Sequence, residues 1–141
     1  HAQNDDRECS PGTTVLWDFG YGGNFEDLQF QWAALLLTRV ISKPGPNRLC
    51  LDLGHKAVAA DKPQPRAKLL GLPDANPVVH SEEHLMVETE AAGDFTVGDC
   101  LYAVPAHICP TVALHDEAVV VRNKRAGERW KIEARSRKLT V

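Results

Sequence analysis

Ten glycines and nine prolines cut this chain of 141 residues into short pieces, and almost every piece between them is rich in Val, Leu, Ile, Thr, Trp or Tyr. Pieces so short leave little room for long helices. β-Branched and aromatic residues between turn signals favour pleated, half-buried strands instead. The expected strands are Thr13 to Phe19, Ala33 to Lys43, Leu49 to Leu53, His84 to Glu88, Cys100 to Val104, Ala118 to Arg122 and Trp130 to Arg135. The last two flank a polar hairpin turn over Asn123 to Gly127. The all but wholly apolar Leu49 to Leu53 reads as a strand covered on both faces. A single helix is expected over Asn24 to Trp32, where Phe25, Leu28 and Trp32 recur at helical spacing behind a possible Asn24 cap. About seven strands with frequent turns predict a mainly β domain, a small barrel or a sandwich.

Length and charge exclude much else. A chain of 141 residues is one domain and cannot hold a (β/α)₈ barrel, which takes at least roughly 200 residues. Sixteen Lys plus Arg against nineteen Asp plus Glu leave a net charge of −3, so no basic surplus points to nucleic acid or an anionic membrane. The longest apolar run, Trp32 to Leu37, is six residues, against about 20 for a membrane-spanning helix. The polar, acidic start lacks the apolar stretch of a signal peptide, which makes a cytoplasmic location the expectation. Cys9, Cys50, Cys100 and Cys109 form no Cys-x-x-Cys pair and read as reduced thiols, some of them buried. The first residue is His, so the chain reads as a piece of something longer.

Candidate chemistry concentrates in Val104-Pro105-Ala106-His107-Ile108-Cys109-Pro110-Thr111. If this stretch is extended, held out of a ladder by its two prolines, His107 and Cys109 leave the backbone on one face and can converge on one ion. Imidazole and thiolate suit a borderline-soft divalent cation, and two protein ligands leave coordination positions open, as a catalytic metal requires. The plainer alternative makes Cys109 a small buried hydrophobe and His107 a hydrogen-bonded loop residue. Asp52-Leu53-Gly54-His55-Lys56 places an acid, an imidazole and an ammonium at a strand end, fit for acid/base work or for simple turn capping. Ser81-Glu82-Glu83-His84 offers a third ligand, an orienting carboxylate, or merely an acidic turn. Dinucleotide-binding, Walker, serine-hydrolase and His-Glu-x-x-His motifs are absent.

Six motifs in order, Glu8 to Thr13, Trp17 to Gly22, Thr38 to Ser42, Asp52 to Ala57, Ser81 to His84 and Pro105 to Thr111, resemble the carboxy-terminal portion of the D-threonine aldolase and D-serine dehydratase family. The resemblance implies a fold-type III pyridoxal-phosphate enzyme. There, an amino-terminal barrel carries the cofactor on a Schiff-base lysine, and a β domain carries a divalent metal, zinc or manganese. On that reading, residues 1–10 are a remnant of the segment leaving a missing barrel and residues 11–141 are the metal-binding β domain. His107 and Cys109 match the family's metal-ligand pair. His55 follows Gly54 where the more distant alanine racemases carry a catalytic tyrosine, and it stands as the candidate catalytic residue lining the site.

The implied activity is that of a D-3-hydroxy amino acid lyase, D-threonine aldolase-like, giving glycine and an aldehyde. D-Serine dehydratase-type elimination, or a non-catalytic module for dimerisation or docking, are the alternatives. The docking alternative expects an exposed apolar patch around Trp17, Phe19 and Phe25. Implied partners are the missing barrel, a second copy in a homodimer and a small D-3-hydroxy amino acid, with no nucleic acid and no membrane. The isolated chain is expected to be inactive.

Overall fold

The longest strand forms where Leu, Thr, Val and Ile follow one another with alternating exposure. In β1 (Leu36–Gly45), Thr38 and Val40 point into the core while Leu37 and Arg39 face out. Pro and Gly then turn the chain back into β2 (Arg48–Leu51), whose Leu49, Cys50 and Leu51 are all buried, as a strand covered on both faces requires. With β3 (Ala67–Leu69), β4 (Asn76–His80), β5 (Leu85–Glu88) and β6 (Cys100–Pro105) they make one antiparallel sheet of order β3-β6-β1-β2-β5-β4. A separate hairpin pairs β7 (Glu117–Arg122) with β8 (Arg125–Lys131). The computed structural model describes residues 10, 12–136 and 138. The segment assigned from sequence to residues 1–10 therefore lies almost wholly outside the described residues, as does Cys9.

The mainly β class holds, with eight strands among the described residues. Val40, Leu49, Leu51, Leu53, Val58, Leu85 and Val87 are fully buried at the centre of the core. Each such side chain contributes roughly 1.5–3 kcal/mol relative to exposure. No helix among the described residues is long and apolar enough to cross a membrane. Cys50, Cys100 and Cys109 are all free thiols; only Cys50 is buried.

Several local expectations are overturned. Thr13 to Phe19 is no strand. Thr13–Val15 forms a 3-10 turn, Trp17 takes a positive φ of 59°, and Asp18 caps α1 (Phe19–Asn24) by accepting the Tyr21 N–H. The cap starts a helix where extended chain was expected. The helix expected over Asn24 to Trp32 is missing: α1 ends where that one was to begin, and residues 25–35 carry no regular structure. Aromatic packing holds that segment, with the Trp17 and Phe30 rings 5.0 Å apart and those of Tyr21 and Phe25 5.2 Å apart. The last hairpin turns on two residues, Asn123 and Lys124, both at positive φ, as a tight right-twisted hairpin demands. Gly127 accordingly lies inside β8, and Trp130 is near that strand's end, with a 3-10 turn over Glu133–Ser136 beyond it.

Candidate metal centre around His107

Three segments meet where β6 ends. Pro105 closes the strand, and the Ala106 N–H donates to the Arg66 carbonyl at 2.8 Å, extending the β3–β6 ladder by one bond. His107 keeps an extended backbone, and the chain then winds into α2 (Ile108–Val112). The buried Asp18 carboxylate joins α1 to α2: Oδ1 accepts from Tyr21 N at 2.8 Å and Oδ2 from Ile108 N at 2.9 Å. Gly20 sits so close to the Ala106 carbonyl that a Cβ there would collide with it. From the third side, the fully buried Thr111 hydroxyl donates to the His107 carbonyl at 2.7 Å and accepts from Ala59 N at 3.2 Å. His115 Nε2 donates to the Ala57 carbonyl at 2.9 Å. His107 is thus fixed by contacts on either side of it.

Its imidazole is fixed as well. Nδ1 lies 2.6 Å from Asp61 Oδ2, and this hydrogen bond holds the Asp61 carboxyl below its ordinary pKa. A carboxylate can only accept, so Nδ1 carries the proton, and in the neutral ring Nε2 keeps its lone pair. An imidazole oriented by a carboxylate in this way is the usual form of a histidine ligand to a metal. The Cys109 thiol is free and exposed, with Thr13 Oγ1 at 3.4 Å from its sulfur. The extended course expected for His107 to Cys109 is overturned, because Cys109 and Pro110 lie in the first turn of α2. Proline is tolerated there, since first-turn N–H groups have no intrahelical partner in any case. The two side chains therefore leave a strand-to-helix corner, and the alternation that was to put them on one face does not apply. Among the described residues no three His, Cys, Asp or Glu side chains gather as a ligand set.

The other candidates fall into two groups. His55 is drawn into a cluster with Arg66 and His80: its Nε2 lies 3.1 Å from Arg66 Nη1, and its ring meets that of His80 edge-on at 4.4 Å. Asp52 does structural work instead, accepting from Thr38 Oγ1 at 2.8 Å and Arg39 N at 2.7 Å. Lys56 pairs with Glu82 and Glu83 on the surface, so both carboxylates of that acidic turn are taken up by an ammonium. The carboxylate beside His107 comes from Asp61, which local motifs could not reveal because it lies 46 residues away in the chain.

Comparison with known proteins follows the same lines. The model of the family described as "Putative serine dehydratase domain" matches residues 33–121. The chain belongs to that family. Among its relatives, the D-threonine aldolase of an Arthrobacter species is 35% identical over 131 residues, covering 91% of this chain and 34% of the relative. The 3-hydroxy-D-aspartate aldolase of Paracoccus denitrificans is 33% identical over 138 residues, covering 92% and 35%. The crystal structure of D-threonine aldolase from Filomicrobium marinum superposes with a TM-score of 0.79 at 25% identity, over 89% of this chain and 35% of that one. This member of the serine dehydratase domain family thus spans about a third of the length of each of these two aldolases. Its membership and its β architecture both agree with what the ordered motifs imply.

Proposed function

We propose that this chain is the metal-bearing β domain of a D-3-hydroxy amino acid lyase that uses pyridoxal phosphate on a separate barrel domain and splits its substrate into glycine and an aldehyde. The observation that carries the reading is the 2.6 Å contact between His107 and Asp61, with a free, exposed Cys109 thiol two residues on from His107. A carboxylate-oriented imidazole and a thiolate suit a borderline-soft divalent cation such as zinc, so the residues present fit the group. A divalent cation there would act as a Lewis acid on the substrate's β-hydroxyl. His107 Nε2 and Cys109 Sγ would hold it. Asp61 would keep the Nδ1 proton in place, and Asp18 would keep α2, and with it Cys109, in register. His55 remains the candidate catalytic residue lining the site, its Nε2 turned to Arg66. Support for the substrate class comes from the two aldolase relatives, each of which aligns with more than nine-tenths of this chain.

The test is product analysis. The polypeptide that joins this chain to its cofactor domain, given D-threonine and a divalent metal, is expected to release glycine and acetaldehyde. Ammonia and 2-oxobutanoate would instead point to dehydratase-type elimination. Absence of any turnover would overturn the lyase reading.

A docking role has its own support in an open cleft of about 490 Å³ lined by Trp17, Phe25, Phe30, Trp32 and Lys68. Phe25 and Phe30 are nearly half exposed, whereas Trp17 is buried, so the exposed patch is centred further along the chain than the sequence suggests. The missing barrel or a second copy of the chain would cover it.

A further inference from the structure

Arg66 has more partners than any other guanidinium among the described residues. Its Nε donates to the Lys62 carbonyl at 2.7 Å, and Nη1 reaches His55 Nε2 at 3.1 Å and His80 Nδ1 at 3.3 Å. Its own carbonyl accepts from Ala106 N at 2.8 Å, next to His107 in sequence. Guanidinium can only donate, so both facing ring nitrogens must hold lone pairs. His80 then carries its proton on Nε2, where the Leu53 carbonyl accepts it at 3.0 Å. Burial, and second the His55 ring beside it, push the His80 imidazole below its ordinary pKa, which keeps it neutral for this purpose.

Resting on the metal reading above, we propose that Arg66 is a positioning residue for His107: its guanidinium ties the loop of residues 61–66 to His55 and His80, so that Asp61 is presented to His107 Nδ1. One end of that loop is gripped at the Lys62 carbonyl, directly after Asp61, and the other at the Ala106 amide, directly before His107. The Asp61 carboxylate is itself partly exposed and makes its hydrogen bond to His107 alone among the described side chains. Its placement therefore depends on the loop that carries it. His80 acts here through Arg66, and so does the Nε2 face of His55.

Co²⁺ titration, followed by its visible absorption, tests this on the whole chain. Arg66→Gln and Asp61→Asn are each expected to weaken Co²⁺ binding about 10- to 100-fold, the range found when the partner orienting a ligand is lost. The double variant is expected to lose no more than the larger single loss, because both act through one imidazole. Asp74→Asn, which removes a remote cap on Thr89 and Glu90, is expected to lower stability and leave Co²⁺ binding unchanged. Should Arg66→Gln not fold, Arg66→Lys carries the test: it keeps the charge without the fork that reaches three acceptors at once, and a loss below about threefold would count against the proposal. Tight binding by Arg66→Gln, or losses that simply add in the double variant, would overturn the role of Arg66 alone. A wild-type chain that takes up no Co²⁺ would overturn the metal reading, and this inference with it.

Discussion

Asp61 and His107 lie 46 residues apart in the chain and meet through Oδ2 and Nδ1 at 2.6 Å, the one a loop residue and the other the last extended residue before α2. Replacing Asp61 by Asn keeps an acceptor oxygen but removes the charge that makes the imidazole a better donor of its lone pair. Zinc affinity measured by competition with a chromophoric chelator is expected to fall about 10- to 100-fold while the unfolding curve stays put. Unchanged affinity would separate Asp61 from the metal.

Asp18 is the buried joint of the site. Removing its carboxylate by Asp18→Ala strands the Ile108 N–H away from water and leaves the N–H of the exposed Tyr21 without its cap. The stranded donor costs about 1–3 kcal/mol and the lost cap about 1 kcal/mol more, so a loss of about 2–4 kcal/mol is expected in urea denaturation. A loss under about 0.5 kcal/mol would mean that α1 and α2 are not joined through this residue.

Gly54 passes so near the backbone of Glu82 and Glu83 that a Cβ would overlap it, and main chain cannot swing aside as a side chain can. Gly54→Ala is expected to destabilise by about 1–3 kcal/mol through overpacking. Gly93, with open space around its Cα, is the control, and Gly93→Ala should change stability little.

The strands that sequence reading finds are those with a local signature. β1, β2, β5 and β6 are Leu- and Val-bearing runs between prolines or glycines, and they lie where the pattern puts them. β3 and β4 escape it for physical reasons. Ala67-Lys68-Leu69 has no β-branched residue, and Asn76–His80 contains Pro77, which is admissible only because β4 is the sheet's edge. The site divides similarly. His107 and Cys109 announce themselves by residue type, but the turn between them has no local signature, because Pro110 suits a helix's first turn as well as an extended chain. Asp61, Asp18 and Arg66 act only across long sequence separations, which no local spacing encodes.

Acid should weaken the fold through His80. Its folded pKa lies below the ordinary imidazole value of about 6.5, chiefly through burial, with His55 and Arg66 facing the ring. The unfolded chain therefore takes up the proton first, and stability is lost as pH falls below about 6.5 until the folded ring also titrates. Urea midpoints between pH 7.5 and 5 are expected to decline for the wild type and to decline less for His80→Gln. Identical slopes would contradict this.

The isolated chain should also be silent as an enzyme. Without the barrel that is proposed to carry the Schiff-base lysine, it is expected to form no adduct absorbing near the pyridoxal-phosphate bands and to consume no D-threonine. Cofactor absorbance that survives gel filtration would contradict the division of labour proposed here.

The most direct measurement is elemental analysis of divalent metal in the purified chain and in a His107→Ala/Cys109→Ala double variant, after both are equilibrated with zinc and freed of excess. One zinc per wild-type chain and none in the double variant is the expected result. Equal occupancy in the two proteins would contradict the assignment of His107 and Cys109 as ligands.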